Sequence, residues 1–335
     1  MRTNDFNYSL PQDLIAQTPL KNRHDSRLMI YERDSETIQH SHFIDIKKYL
    51  LPGDLLVINN TKVIPARIYG KKETGGEVEI LLLKKINQNR WEALIGGKKM
   101  VKGKKIFLND ELSAVVVEEF QGPSRIIDFN KPVELFLDSI GNVPLPPYIH
   151  EILDDPQRYQ TIYAQHIGSA AAPTAGLHFS KQLIDDLVSM GIKFANVTLH
   201  VGLDTFAPVT EDLIEDHTIH REWCEITQSN AQKINDVIDS GNKVIAVGTT
   251  SARTLETAAV NGKIHPFSGL TDLFIVPGYQ FKIVDGLLTN FHLPKSTLLM
   301  MVSAFGGLKN IKTCYREAIK NKYRFYSFGD AMLIL

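Results

Sequence analysis

Five histidines stand beside small or hydroxyl-bearing residues at turn signals. They are His178 in "TAGLHF", His200 in "TLHVG", His217 and His220 in "HTIHRE", and His292 in "TNFHLPKST". Imidazole is the side chain whose charge changes near neutral pH, so these are the candidates for moving a proton. Each, taken singly, also suits a hydrogen-bonded structural role. A helical "HTIHRE" would put His217 and His220 one turn apart with Glu222 close by, which makes a metal site conceivable. The signal is weak, because no HExxH motif is present.

Two segments offer places for an anion. In "KVIAVGTTSARTLE" a buried strand runs into Gly248-Thr249-Thr250-Ser251 and then a helix expected from Ala252. Unpaired N–H groups and hydroxyls at such a turn cradle a carboxylate or phosphate, and a well-capped helix explains the same residues equally. In "TNFHLPKSTLLMMVSAF", Pro294 breaks the chain and Ser296 or Thr297 is a good N-cap for the apolar helix that follows. No GxGxxG occurs, and "LPKST" has proline where a P-loop needs glycine, so neither common nucleotide fingerprint applies. "AAPTAGLHF" is rich in small residues. These permit close approach of a ligand, or equally tight helix–strand packing.

These segments need elements to hold them. From about Asp54 to Asn130, short apolar runs separated by Gly, Asn or Lys turns read as antiparallel strands of a small barrel or sandwich, with Gly75-Gly76 a hairpin signal. "GNVPLPPYI" then reads as an extended strap. Beyond it, strands and Gly-ended helices alternate, "DLFIVPG" among the expected strands, which argues for a largely parallel α/β layer or barrel. In the first fifty residues "SRLMIYERDSETIQHSHF" reads as a hairpin.

The chain has 335 residues, net charge −1 and two cysteines, Cys224 and Cys314. That charge gives no global pull toward nucleic acid, and two distant cysteines exclude a disulfide framework and suit a reducing compartment. The N-terminal segment lacks a signal-peptide core, and no apolar run is long enough to span a bilayer. Lysine is nevertheless clustered at Lys98, Lys99, Lys102, Lys104 and Lys105. A second basic group, Arg316, Lys320, Lys322 and Arg324, lies near the C-terminus. Solvated surface explains each alone; together they leave room for a local phosphate-binding face.

In order along the chain, "FNYSLPQDLIAQTPL", "RHDSRLM", "PGDLLVINNTKVIPARIYG", "PLPPYI", "RYQTIYA", "AAPTAGLHF", "TLHVG", "IAVGTTSARTLE", "TNFHLPKSTLL" and "YRFYSFGDAM" closely resemble the S-adenosylmethionine:tRNA ribosyltransferase-isomerases of queuosine biosynthesis. Departures are small: Asp204 where the family usually has glycine, Ile219 where it favours methionine, and the wording of "IGGKKMVKG". The resemblance implies an α/β fold, with a large distorted α/β-barrel-like domain (1–55 and 150–335) interrupted by a small antiparallel β-barrel (56–149). It implies transfer and isomerisation of the ribosyl group of S-adenosylmethionine onto 7-aminomethyl-7-deazaguanine at the tRNA wobble position, with release of adenine and methionine.

That reaction needs a base for the carbon beside the sulfonium, drawn from His178, His200, His220 and His292. It needs an anion site for the methionine carboxylate, at Gly248, Thr249, Thr250 and Ser251 or at Ser296 and Thr297, with Arg253 as a fork and Asn290 reaching in. It implies tRNA and S-adenosylmethionine as partners, the latter consumed as ribosyl donor, with no metal or other cofactor, no membrane, and a cytoplasmic monomer. The lysine-rich turns are the expected RNA face. The rivals are a metal-dependent hydrolase built on His217 and His220, a non-catalytic RNA-binding module, and a methyltransferase, which would want a glycine-rich loop near the amino end.

Overall fold

The computed structural model describes every residue except Gln121, Ile152, Leu203, Asp204, Phe206 and Ala207. The Asp204 departure therefore lies outside the described residues. The chain forms two compact units: Met1–Lys62, Pro146–His166 and Ala172–Leu335 make the large one, Val63–Leu145 and Ile167–Ala171 the small one.

The small unit follows from alternation. Strands Arg90–Gly96 and Ser113–Glu119 bury every second side chain, and Glu77–Lys85 does so except at Leu81, so one face of each fills an interior with residues such as Ile80, Ala93 and Val116. Six antiparallel strands close on themselves where Lys71 pairs with Phe107. Gly70 permits this seam, since a Cβ there would sit 2.7 Å from the Phe107 carbonyl. The five lysines lie, all exposed, on the turns and strand start between Gly97 and Lys105, and buried Met100 anchors them.

The large unit carries a nine-stranded sheet. Its strands are β1 Arg27–Glu32, β2 Thr37–His42, β3 Leu55–Asn59, β4 Lys193–Leu199, β5 Glu222–Ile226, β6 Val244–Val247, β7 Phe267–Thr271, β8 Gly286–Asn290 and β9 Ala331–Ile334. The order is β7-β5-β4-β3-β6-β8-β9-β1-β2, and the four central strands β4, β3, β6 and β8 are mutually parallel. Helices cover both faces: α1 Lys181–Ser189 on one, and α2 Gln228–Asp239, α3 Thr249–Ala258, α4 Thr297–Gly306 and α5 Leu308–Lys320 on the other. Alternate β3 residues feed the two layers, Leu55 and Val57 against α2 to α5, Leu56 and Ile58 against α1.

The α/β reading with an inserted antiparallel barrel holds, and "SRLMIYERDSETIQHSHF" is the β1–β2 hairpin. The edge strands β7 and β2 of the large sheet do not pair with each other among the described residues. Two expectations need correction. "DLLVINN" is the centre of this sheet rather than the first barrel strand, so the large unit runs to Lys62 and resumes at Pro146. Its unbroken apolar run is what a strand buried on both faces requires. Finally, "DLFIVPG" is a loop, and the strand is the preceding Phe267–Thr271.

Gly329 tests the packing of the last motif, "YRFYSFGDAM". A Cβ there would meet the Arg324 carbonyl oxygen at 2.4 Å and the Phe325 carbonyl carbon at 2.6 Å, both backbone. Gly329→Ala is expected to lower unfolding free energy by about 1–3 kcal/mol, the usual cost of overpacking. Gly76→Ala, whose new methyl meets nothing closer than 3.6 Å, is expected to stay close to wild type in the same denaturant titration.

Candidate active site

Four parallel strands ending at one edge make a crevice there, where ligands of open α/β sheets sit. The buried carboxamide of Asn59, at the end of β3, clamps that edge. Its Nδ2 donates to the Leu199 carbonyl (3.0 Å) and to Thr250 Oγ1 (3.2 Å), while its Oδ1 accepts from the Thr61 and Leu199 N–H groups (3.1 Å each). One side chain thus ties β3, β4 and the start of α3.

At the end of β6, Gly248 adopts φ = 89°, a left-handed value that favours glycine, and α3 begins at once with Thr249, three residues earlier than expected. No side chain caps this helix. Its first-turn N–H groups and the positive end of its dipole therefore face the crevice with Thr249 and Thr250, an arrangement suited to an anion. Ser251 is not part of it: the side chain is fully buried, and its hydroxyl donates back to the Val247 carbonyl at 2.8 Å.

Arg253 lines the crevice, but its fork is already engaged. Nη1 meets Glu222 Oε2 at 2.5 Å, Nε donates to the Leu273 carbonyl, and Nη2 donates to the His220 and Thr271 carbonyls. The other Glu222 oxygen accepts from the Gly202 N–H (2.8 Å) and Thr205 Oγ1 (2.9 Å). Burial pushes the Glu222 carboxyl up, against the Arg253 charge and these donors, which hold it down. Arg253 is thus a brace for three cleft-wall segments rather than a free anion fork. An earlier helix start moves it to the fifth helical residue, turned toward Glu222.

Asn290, ending β8, is pinned on every side. Its Nδ2 donates to the Tyr326 carbonyl (3.1 Å), which fixes the orientation of the amide, and to His178 Nε2 (3.2 Å); its Oδ1 accepts from Thr174 Oγ1 (2.9 Å). His178 consequently carries its proton on Nδ1 and donates it to Ser26 Oγ at 2.7 Å. His178 stands behind Asn290 and does not line the crevice. Burial first, and then the charges of Arg324 and Arg23, push its pKa down to about 3. His292 does line it, with Nε2 bonded to Thr289 Oγ1 (2.7 Å), its N–H donating to Tyr315 Oη (2.9 Å) and its carbonyl accepting from Tyr8 Oη. Burial brings its pKa to about 3 as well. Imidazoles so held stay neutral throughout the physiological range.

The remaining expected residues divide. Ser296 is fully buried and spent on capping α4, accepting from the Leu299 N–H at 3.2 Å and donating to the Leu293 carbonyl. Thr297 and the exposed His220 line the crevice beside His217, which pairs with Glu211 at 3.1 Å. His200 lies outside the lining, stacked on Trp223 at 5.1 Å and bonded to Thr61 Oγ1, its pKa lowered by burial and then by His166. Among the described residues no three His, Cys, Asp or Glu side chains are grouped to hold a metal. The crevice has two lobes with about 70 and 30 Å³ of open space, and Thr205, Thr249, Thr250 and Leu298 line both.

Asn59 and Thr174 escaped the sequence reading, and Glu222 entered it only beside His217 and His220 as part of a conceivable metal site. Asn59 carried a usable signal, since two asparagines close a fully apolar strand in "LLVINN". The observed roles of Glu222 and Thr174 had no local signal, because their partners lie 31 and 116 residues away.

The sequence profile of the queuosine biosynthesis protein family matches residues 3–334. The chain is 53% identical over 341 residues to the S-adenosylmethionine:tRNA ribosyltransferase-isomerase of Caldanaerobacter subterraneus subsp. tengcongensis. It is 52% identical over 339 residues to that of Carboxydothermus hydrogenoformans, and in both cases all of each chain is covered. It is also similar to the crystal structure of S-adenosylmethionine tRNA ribosyltransferase from Thermotoga maritima, with 39% identity and a TM-score of 0.59, covering 99% of this chain and all of that one.

The two buried histidines make acid stability a test of the geometry. Their folded pKa values, about 3, lie below the ordinary 6.5. Their contribution is therefore complete above about pH 6.5 and is lost as pH falls from there toward 3. Each adds up to about 1.4 kcal/mol per pH unit to the slope. His178→Asn with His292→Asn is expected to be less stable than wild type at pH 7, yet to lose less stability between pH 6.5 and 4. Denaturant titrations at several pH values measure both quantities.

Proposed function

Because the chain belongs to the queuosine biosynthesis protein family, we infer that it is an enzyme that moves and isomerises the ribosyl group of S-adenosylmethionine onto a tRNA. The acceptor in this reading is the aminomethyl group of a 7-deazaguanine at the wobble position, and the products are epoxyqueuosine, adenine and methionine. Full-length likeness carries the reading. The uncapped start of α3 supports the seating of the donor, with the methionine carboxylate on the Thr249 and Thr250 N–H groups and the rest of the molecule toward Asn290. Entry of so large a donor parts the cleft walls, whose present open space admits only a few waters.

The sulfonium acidifies the ribose carbon beside it, and a base must take that proton. His220 is the proposed acceptor: it lines the cleft, stays exposed, and has its backbone held by Arg253. As the donor breaks down, the bond to adenine and the ribose ring C–O bond are cleaved and adenine takes up a proton; the acceptor amine, losing a proton, forms the new C–N bond, a C–C bond closes the cyclopentane, and the freed ring oxygen closes the epoxide by displacing the methionine sulfur. Electrons balance without an external oxidant or reductant, so no redox cofactor is part of the proposal. Among the described residues no helix is long and apolar enough to cross a membrane. A monomer working beside its tRNA in the cytoplasm completes the reading.

Incubation with tRNA bearing the deazaguanine precursor and ribose-labelled S-adenosylmethionine should release adenine and methionine in equal amounts and leave the label in the tRNA. Transfer of an S-methyl label instead would overturn the function. In the same assay His220→Ala should cut turnover by about a hundredfold or more, as loss of a general base typically does, with thermal stability kept.

The lysine turns of the small unit are the proposed RNA face. Replacing Lys98, Lys99, Lys102, Lys104 and Lys105 together should weaken tRNA binding and flatten its salt dependence. The log–log slope should fall by roughly 0.7 to 0.9 for each phosphate that is no longer neutralised. A slope equal to wild type would assign the lysines to solubility alone.

A further inference from the structure

Three of the motif segments, "RHDSR", "RYQTIYA" and "YRFYSFGD", carry arginines that do not line the cleft described above. Each brings one arginine to the same place. Arg23 and Arg158 line a small pocket with Ser26, His178 and Ser327, and Arg324 reaches its rim through the Thr18 carbonyl, beside the lining residue Pro19.

All three guanidiniums are held in position by main-chain carbonyls. Arg23 donates to Leu177 (3.1 Å) and Gln157 (3.0 Å), and Arg158 to Lys21 (3.0 Å) and Leu20 (2.6 Å). Carbonyls fix a guanidinium but leave its charge uncompensated. Among the described residues none of the three forms an ion pair with a carboxylate. The two nearby acids, Asp155 and Asp330, act on Arg23 and Arg324 through their charge but form no ion pair with either guanidinium. Asp155 accepts from the Gln157 N–H, and Asp330 accepts from the Arg27 N–H and Nε and from the Arg324 N–H. Arg158 Nε and Arg324 Nη1 are buried donors with no acceptor, an expensive condition for groups of one sign placed together. Burial and then the charge of Arg158 lower the proton affinity of Arg23, while Asp155 and Tyr163 act the other way.

The pocket adjoins the cleft. Ser327 lines both, and His178, in the pocket wall, accepts at 3.2 Å from the cleft residue Asn290. Its open space is about 20 Å³, room for a single oxygen atom of a ligand rather than for a base or a sugar. Fixed planar guanidiniums suit phosphate oxygens, for which their fork geometry is matched.

We propose that Arg23, Arg158 and Arg324 together bind one backbone phosphate of the RNA strand that carries the reacting base, and so set the register of that base over Asn290. This rests on the tRNA substrate inferred above. The ligand is a phosphodiester next to the modified nucleotide, so the cluster acts on RNA affinity and leaves the binding of S-adenosylmethionine alone.

The test compares Arg158→Gln and Arg158→Lys, and the same pair at Arg23, with wild type. tRNA binding is measured across a salt series, S-adenosylmethionine binding separately, and thermal stability on each variant. The Gln variants should weaken tRNA binding and reduce the log–log salt slope by roughly 0.7 to 0.9, the share of one phosphate, with S-adenosylmethionine affinity unchanged. The Lys variants keep the charge and so should recover the slope, although one ammonium does not reproduce both carbonyl bonds of the guanidinium. If Gln and Lys variants lose thermal stability alike and keep the wild-type slope, the arginines only tie down carbonyls and the proposal falls. If inorganic phosphate stabilises wild type but not the Gln variants while the slope is unmoved, the cluster is a free-anion site and the RNA assignment falls. A wild-type protein that neither binds tRNA nor releases adenine would remove the functional premise itself, a result distinct from both.

Discussion

The carboxamide of Asn59 is the interaction on which the rest of the site depends. Four parallel strands of unrelated sequence position end at one edge of the sheet, but strand ends fray unless something spans them. Asn59 does so with four hydrogen bonds, reaching from β3 to β4 and on to Thr250 at the start of α3. A buried amide with all its partners is rigid, because every alternative leaves a polar group unpaired in a medium of low dielectric. The uncapped turn after Gly248 can present bare N–H groups to a ligand only because the chain on either side of it is fixed in this way.

The same economy of partners decides which groups are chemically available. Asn290, His178 and Ser26 form a closed chain of donors and acceptors, and Glu222 and Arg253 a closed pair with loop N–H groups and carbonyls attached. A side chain in such a chain is a wall. It positions others and keeps its own proton where it is. Depressed pKa values at His178 and His292 express that condition, since burial removes the water that would stabilise an imidazolium. The segment from His217 to His220 lines the same cleft, and Arg253 holds it through the His220 carbonyl.

Much of the architecture was legible in the order of residues. The alternation in "RWEALIG" against the unbroken apolar run in "KVIAV" separates a barrel strand from a central parallel strand, because one is wet on one face and the other on neither. Gly248-Thr249-Thr250 announced a strand-to-helix turn open to an anion, and Pro294 with Ser296 announced the start of α4. "LLVINN" misled for an instructive reason: it was followed by genuine barrel strands, and nothing local says which sheet a strand joins.

Sequence by itself therefore determined the elements, the inserted barrel, the family and the set of polar residues from which a site is built. Local spacing governs those, through side-chain period, turn conformation and capping. Tertiary structure alone decided which of those polar residues are spent. Arg253 and His178 read from sequence as hands reaching for a substrate, and each is occupied by a partner, 31 and 152 residues away. A hydrogen-bonding side chain looks the same in sequence whether its partner is a ligand or a distant backbone carbonyl. Only the folded chain, by bringing that carbonyl to within 3 Å or leaving it elsewhere, makes the difference.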